Sequence, residues 1–278
     1  MEPYYKDEFM TLYHADIVEA LRSIPEKSVD SVVTSPPYAM QRKTTYGGIP
    51  EKDYPEWTVT WMKEARRVLK DDGSVIINIS PNVKNGELSD YVLRTRLALR
   101  EAGWVELGEL IWHKTRAMPV GNIHRPRRHW ESLLWYGKHG RPYSDAKANG
   151  GVSDTHEGVG PHVDNGWKHY NIGQDKTSWS KRSRSADVVS MAPTSETTGH
   201  PAPFPWQLAE WCGKLITPEG GVILDPFAGS SSTGVAALQN GWRYIGIDSV
   251  EEYVEMSKER LLKESETLVR PSAALAIE

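Results

Sequence analysis

Apolar positions along the chain follow two periods. Short β-branched runs read as buried strands: Val29-Asp30-Ser31-Val32-Val33, Ser74-Val75-Ile76-Ile77-Asn78-Ile79 and Val222-Ile223-Leu224-Asp225. Met10 to Ala15 and Tyr244-Ile245-Gly246-Ile247 are also strand-like. The segments between them carry apolar residues at helical spacing. Ile17 to Ile24 is a short helix for which Asp16 can serve as N-cap, the reading its position favours, although a carboxylate at a strand end can also contact a ligand. Asp53 to Leu69 carries Trp57, Trp61, Ala65, Val68 and Leu69, and Asp72-Gly73 is expected to end it. Leu88 to Ala102 is a helix closed by Gly103; Phe204 to Ile216 and a helix from Val235 follow later. Val105 to Trp112 and Ser132 to Tyr136 read as strands, expected to be antiparallel. Strands alternating with helices predict a doubly wound, mostly parallel α/β sheet with its sites at the carboxyl ends of the strands.

Composition narrows the function classes. The 278 residues are 38% hydrophobic and 25% charged, enough for a sizeable core. A net charge of −4 does not advertise nucleic-acid binding, so any basic surface must be local. One such place exists: Leu110 to Trp130 holds five Lys or Arg and no acid. Residues 138–186 are rich in Gly, Ser, Asp, Asn and His, with Trp167, Tyr170 and Trp179 among basic residues. Aromatics interleaved with Lys and Arg suit a segment that reads a duplex. The single cysteine, Cys212, excludes an internal disulfide and fits a reducing cytosol, so a cytoplasmic location is expected. No signal peptide or membrane span is expected. The nine histidines show no ligand spacing, so no metal is expected.

The first chemical feature is Thr34-Ser35-Pro36-Pro37-Tyr38. Two prolines remove two ladder donors and fix φ, so the strand before them must end in a rigid loop. That loop presents a hydroxyl, donor-less carbonyls and an aromatic ring, which suits a flat substrate carrying an NH2 group. An exocyclic amine on a nucleobase is a poor nucleophile because its lone pair is delocalised. Acceptors such as Ser35 Oγ and the carbonyl between the prolines favour the pyramidal amine and stabilise positive charge as nitrogen attacks a methyl group. Tyr38 would hold a base swung out of the stack. An ordinary Pro-Pro turn is the competing reading of these residues alone.

The second feature is the turn Asp225-Pro226-Phe227-Ala228-Gly229-Ser230, followed 23 residues after Asp225 by a strand ending in Asp248. Strand, Gly-rich turn, helix, strand and terminal acid form the plan of an adenosine-cofactor site, the acid taking ribose hydroxyls. Gly229 to Gly234 is neither G-x-G-x-x-G nor a P-loop. Asp225 repels phosphate but accepts from an ammonium group, which points to S-adenosylmethionine.

With both features in this order, the chain resembles the permuted beta class of DNA amino-methyltransferases, which modify exocyclic amines and often partner restriction enzymes. The likeness covers roughly residues 10–265 apart from most of 138–186, and includes Ile111-Trp112-His113-Lys114 and His200-Pro201-Ala202-Pro203-Phe204-Pro205. It implies a Rossmann-like methyltransferase sheet in permuted order. Residues 1–112 would be its catalytic half, 113–186 an inserted DNA target-recognition region, 187–266 the cofactor half and 267–278 a tail. The resemblance implies catalysis by Ser35, Pro36, Pro37 and Tyr38. It implies cofactor contacts from Asp16, Thr34, His200, Pro201, Phe204, Asp225, Pro226, Phe227, Ala228, Gly229, Ser230 and Asp248. The expected DNA contacts are Gln41, Arg42, Lys43, His113, Lys114, Arg116, Arg125, Arg127, Arg128, Trp167, Lys168, Trp179, Lys181 and Arg182.

Thr-Ser-Pro-Pro-Tyr is typical of cytosine-N4 enzymes of this class, whereas Asp-Pro-Pro-Tyr marks mostly adenine-N6 enzymes. Cytosine N4 in duplex DNA is therefore the expected target. Adenine N6 and a non-catalytic DNA-binding protein on this fold remain the alternatives. A cytosine-C5 enzyme needs a cysteine nucleophile, usually after proline, and Cys212 follows Trp211 in a helix. A zinc deaminase needs more cysteines than one. A restriction endonuclease acting on the same site is the implied counterpart, with no stable complex implied.

Overall fold

The computed structural model describes residues 1–41, 47–84, 86–116, 124, 126–151, 183–194 and 204–269. In chain order the strands are β1 (Tyr5–Lys6), β2 (Met10–His14), β3 (Val29–Thr34), β4 (Leu69–Ile79), β5 (Val83–Lys84), β6 (Glu87–Leu88), β7 (Val105–Lys114), β8 (Trp130–Gly137), β9 (Val188–Met191), β10 (Val222–Asp225) and β11 (Arg243–Asp248). The helices are α1 (Ile17–Ser23), α2 (Tyr54–Val68), α3 (Tyr91–Glu101), α4 (Trp206–Ile216), α5 (Ser232–Gln239) and α6 (Glu251–Val269). Nine strands make one sheet in the order β1-β2-β11-β10-β3-β4-β8-β7-β9. Strands β2, β11, β10, β3 and β4 run parallel, while β8 is antiparallel to both β4 and β7. This is the expected Rossmann-like α/β architecture.

Period-two alternation explains how both faces are covered. Val32, Val75, Ile77, Leu134, Val222 and Leu224 point to the face packed by α1, α2 and α3. Their neighbours Val33, Ile76, Leu133 and Ile223 point to the face packed by α4, α5 and α6. Cys212 is 1% exposed within α4, and burial pushes its thiol pKa well up. It is a core residue.

The chain crosses from β10 through α5 to β11 on one side, and from β3 through α2 to β4 on the other. β10 and β3 are adjacent and parallel. Their carboxyl ends therefore flank a topological switch point, where open α/β sheets form a crevice.

Three local expectations shift. No turn separates α2 from β4: the strand begins at Leu69, and Asp72-Gly73 lies inside it. A Cβ on Gly73 would stand 2.7 Å from the Asp30 carbonyl oxygen, so this close approach, rather than a helix stop, needs the glycine. Helix α5 starts at Ser232, three residues before Val235, because Ser232-Thr233-Gly234 forms a buried first turn. Helix α6 continues to Val269, so Thr267 and Leu268 are its exposed last turn. Strands β1, β5 and β9 have no counterpart in the expected elements, and β6 takes Leu88, the expected first residue of α3, which begins at Tyr91 instead.

Candidate active site

The strand order brings distant residues into one row. Asp16 follows β2, Asp248 ends β11, Asp225 ends β10 and Thr34 ends β3. These strands are consecutive in the sheet and parallel. Asp16 caps α1, its Oδ1 accepting from the Val18 and Glu19 N–H groups at 2.9 and 3.2 Å. The Ala15 N–H donates to the Asp248 carbonyl at 3.1 Å, tying the ends of β2 and β11 together.

Asp225 and Asp248 are 1% and 2% exposed and organise the Gly-rich turn between them. Asp225 Oδ1 accepts from Thr34 Oγ1 at 2.6 Å and the Phe227 N–H at 3.1 Å, and its Oδ2 accepts from Thr233 Oγ1 at 2.8 Å. Asp248 accepts from the N–H groups of Gly229 and Val250 at 2.9 and 3.0 Å. Burial raises the Asp225 pKa to about 6, against the opposing hydrogen bonds from Thr34, Thr233 and Phe227. Gly229 and Ser231 both take left-handed backbone, at φ 52° and 55°. For Ser231 this is a costly conformation, and its hydroxyl is paired with Tyr244 Oη at 3.1 Å.

This electrostatics selects the ligand class. A phosphate loop aims its backbone N–H groups at the anion. Here the donors of Phe227, Gly229 and Val250 already serve two buried carboxylates, so the turn is anionic. It suits a ligand that brings ammonium and hydroxyl donors and no phosphate. The turn also contains the buried Ser230 Oγ, which has no hydrogen-bond partner among the described residues. Phe227 packs its ring against Trp57 and Trp61 at 5.5 and 5.3 Å, closing one wall. S-adenosylmethionine fits these requirements. Pro226 and Ala228 are buried in the same turn and Phe204 lies half-buried before α4; His200 and Pro201 lie outside the described residues.

The loop after β3 stands beside this turn. Thr34 links the two, and Pro36 is buried while Ser35, Pro37 and Tyr38 are partly exposed. The Tyr38 hydroxyl donates to Glu131 Oε2 at 2.7 Å, and Asn78 Nδ2 donates to the same carboxylate at 3.0 Å. Lys114 Nζ pairs with the other oxygen, Glu131 Oε1. Burial first, then the Glu131 charge, pushes the Tyr38 phenol well up, so it stays protonated. Neither Glu131 nor Asn78 stands out in the sequence: each bonds Tyr38 across the sheet from another strand.

Two expected DNA contacts face inward. Lys114 neutralises Glu131, and Arg128 Nη1 donates to Ser80 Oγ at 2.9 Å and to the Pro81 carbonyl. His113 Nδ1 is hydrogen-bonded with Ser190 Oγ at 3.0 Å, on the edge strand β9. Gln41, Arg116 and Arg127 are exposed. Arg42, Lys43, Arg125, Trp167, Lys168, Trp179, Lys181 and Arg182 lie outside the described residues. Among the described residues no cluster of His, Cys, Asp or Glu could hold a metal, and no helix is long and apolar enough to cross a membrane.

Residues 29–259 match the DNA methylase family that comprises N6 and N4 amine methyltransferases. The chain belongs to that family. Among curated relatives, the type II methyltransferase M.Cfr9I of Citrobacter freundii is 30% identical over 95% of this chain and 91% of its own length. The PvuII DNA methyltransferase, described as cytosine-N4-specific, superposes with a TM-score of 0.72 at 22% identity, covering 96% of this chain and 95% of that one. A Thermus thermophilus protein solved with S-adenosyl-L-methionine gives a TM-score of 0.63 at 25% identity, covering 91% of this chain and 93% of that one. The methylase is thus a transferase that moves a methyl group from S-adenosylmethionine to an exocyclic amine of DNA.

Proposed function

We propose that the methylase acts on the N4 amine of a cytosine flipped out of duplex DNA. The observation that carries this reading is the loop after β3: Ser35, a hydroxyl rather than a carboxylate, stands at the switch point next to Thr34, which is bonded to the cofactor-side Asp225. The likeness to the PvuII enzyme, itself cytosine-N4-specific, favours the same target. When bound, S-adenosylmethionine supplies an electrophilic methyl group. Asp248 would hold its ribose hydroxyls and Asp225 its ammonium, with Asp16, Phe204 and the Phe227–Ser230 turn around it. Ser35 Oγ and the Pro36 carbonyl accept from the target amine and stabilise the charge that develops on nitrogen. Tyr38, its hydroxyl fixed by Glu131, offers its ring to the extruded base. Arg116 and Arg127 are the exposed cations for backbone contact, and residues 113–186 the recognition region.

On this reading the protein works in the cytoplasm, and a restriction endonuclease cutting at the same sequence is its counterpart. Incubating unmodified duplex DNA with methyl-labelled cofactor and identifying the labelled nucleoside tests the proposal. N4-methylcytosine is expected. N6-methyladenine would establish the adenine reading, and unlabelled DNA would leave only a binding protein on this fold.

A further inference from the structure

We propose that Glu131 is a positioning residue for methyl transfer, orienting Tyr38 and joining the ends of β7 and β8 to the loop after β3. This rests on the proposed role of that loop. Glu131 lies at the start of β8, with its side chain 12% exposed. A carboxylate so buried must be matched by donors from its surroundings. It has three, each from a different part of the chain: the Tyr38 hydroxyl at 2.7 Å, Asn78 Nδ2 at 3.0 Å and Lys114 Nζ. Asn78 Nδ2 also reaches Tyr38 Oη at 3.3 Å, closing a triangle.

The cluster shows a bias toward position over stability. To give its amide N–H2 to Glu131, Asn78 leaves its Oδ1 buried with no partner among the described residues. Unpaired buried acceptors are rare because they lose water without replacement. An apolar contact in place of the three polar side chains would avoid that loss. The bonds made instead fix the Tyr38 ring, since a phenol held by a carboxylate cannot swing about its χ1 axis without breaking the bond. Lys114 ends β7 at the root of the basic stretch, so movement there acts on the same carboxylate that holds Tyr38.

Glu131→Gln keeps the side chain's shape and weakens the charge-assisted bonds. Single-turnover methylation should fall on the order of tenfold to a hundredfold, the range for hydrogen bonds to charged groups. Cofactor affinity should stay at the wild-type value. A fluorescent cytosine analogue at the target position should report looser stacking of the extruded base. Because Glu131 acts through the Tyr38 hydroxyl, Tyr38→Phe should show a similar loss, and the double variant should be no slower than the slower single one. A purely structural role would give additive losses and would lower cofactor binding along with rate. Additive rate losses, or wild-type rates in Glu131→Gln, would overturn the proposal. If Glu131→Gln does not fold, Tyr38→Phe removes the same bond from its other side, and a wild-type rate there overturns it equally. Failure of the underlying reading is distinct: it appears as wild-type protein that labels no DNA.

Discussion

The proposed cofactor side and the proposed base side of the crevice are built by different means. At the ends of β10 and β11, buried carboxylates bind nearby backbone: Asp225 takes the Phe227 N–H and Asp248 the Gly229 N–H, both in the turn after β10, and Asp248 also takes the Val250 N–H just past β11. Apart from the Thr34 hydroxyl that reaches Asp225 from β3, donor and acceptor there lie within about one βαβ unit, and backbone N–H groups supply three of the five donors. Beyond β3 the fixing bonds run between side chains on separate strands, with Tyr38 and Glu131 93 residues apart. A ligand of constant shape suits a site framed largely by backbone. A base that must be captured from a duplex suits side chains carried by several strands, which on the proposed reading can respond to DNA.

The largest effect should come from the base side. Ser35→Ala removes an acceptor proposed to work mainly in the transition state, so single-turnover methylation should drop about 100- to 1000-fold, roughly 2.7–4 kcal/mol. DNA affinity should stay near normal. A wild-type rate would mean that the loop is not the chemical centre.

The cofactor side should reveal itself in stability instead. Burial raises the Asp225 pKa from 3.8 to about 6, so the folded protein holds this proton more tightly than the unfolded chain. Stability from this group is therefore highest below about pH 4 and falls as pH rises towards about 6, by about 3 kcal/mol at most. Asp225→Asn should flatten that slope, because the amide cannot ionise and can still meet the Thr34 and Thr233 hydroxyls. Denaturant unfolding across that pH window checks it; an unchanged slope would assign the titration elsewhere.

The smallest effect should separate outward from inward cations. Arg116→Gln with Arg127→Gln should lower the slope of log K for DNA against log salt by about 1.8, two phosphate contacts at ~0.9 each. Lys114→Met should leave that slope unchanged, since Lys114 neutralises Glu131. A loss of slope in Lys114→Met would place that ammonium on the DNA.

The same division explains what could be read from sequence. The parallel sheet followed from β-branched runs, and the Gly-rich turn with its terminal acid from a spacing that one βαβ unit imposes. Thr34-Ser35-Pro36-Pro37-Tyr38 was legible because two prolines must end a strand. Glu131 and Asn78 were not, since they become neighbours of Tyr38 only through the strand order β3-β4-β8. The net inward pull on Lys114 and Arg128 was hidden for the same reason: a run of basic residues says nothing of which carboxylate or carbonyl the fold will bring to it. Strand β9, at the sheet edge, is four residues long and pairs only with β7 among the described strands, too short to announce itself by alternation.

The division of labour across the crevice is tested most directly by titrating S-adenosylmethionine into the wild type, Ser35→Ala and Asp248→Ala by calorimetry. The account predicts wild-type affinity in Ser35→Ala and a loss of about 1.5–3 kcal/mol in Asp248→Ala, which gives up a charged acceptor. Wild-type affinity in Asp248→Ala, or an equal loss in Ser35→Ala, would contradict it.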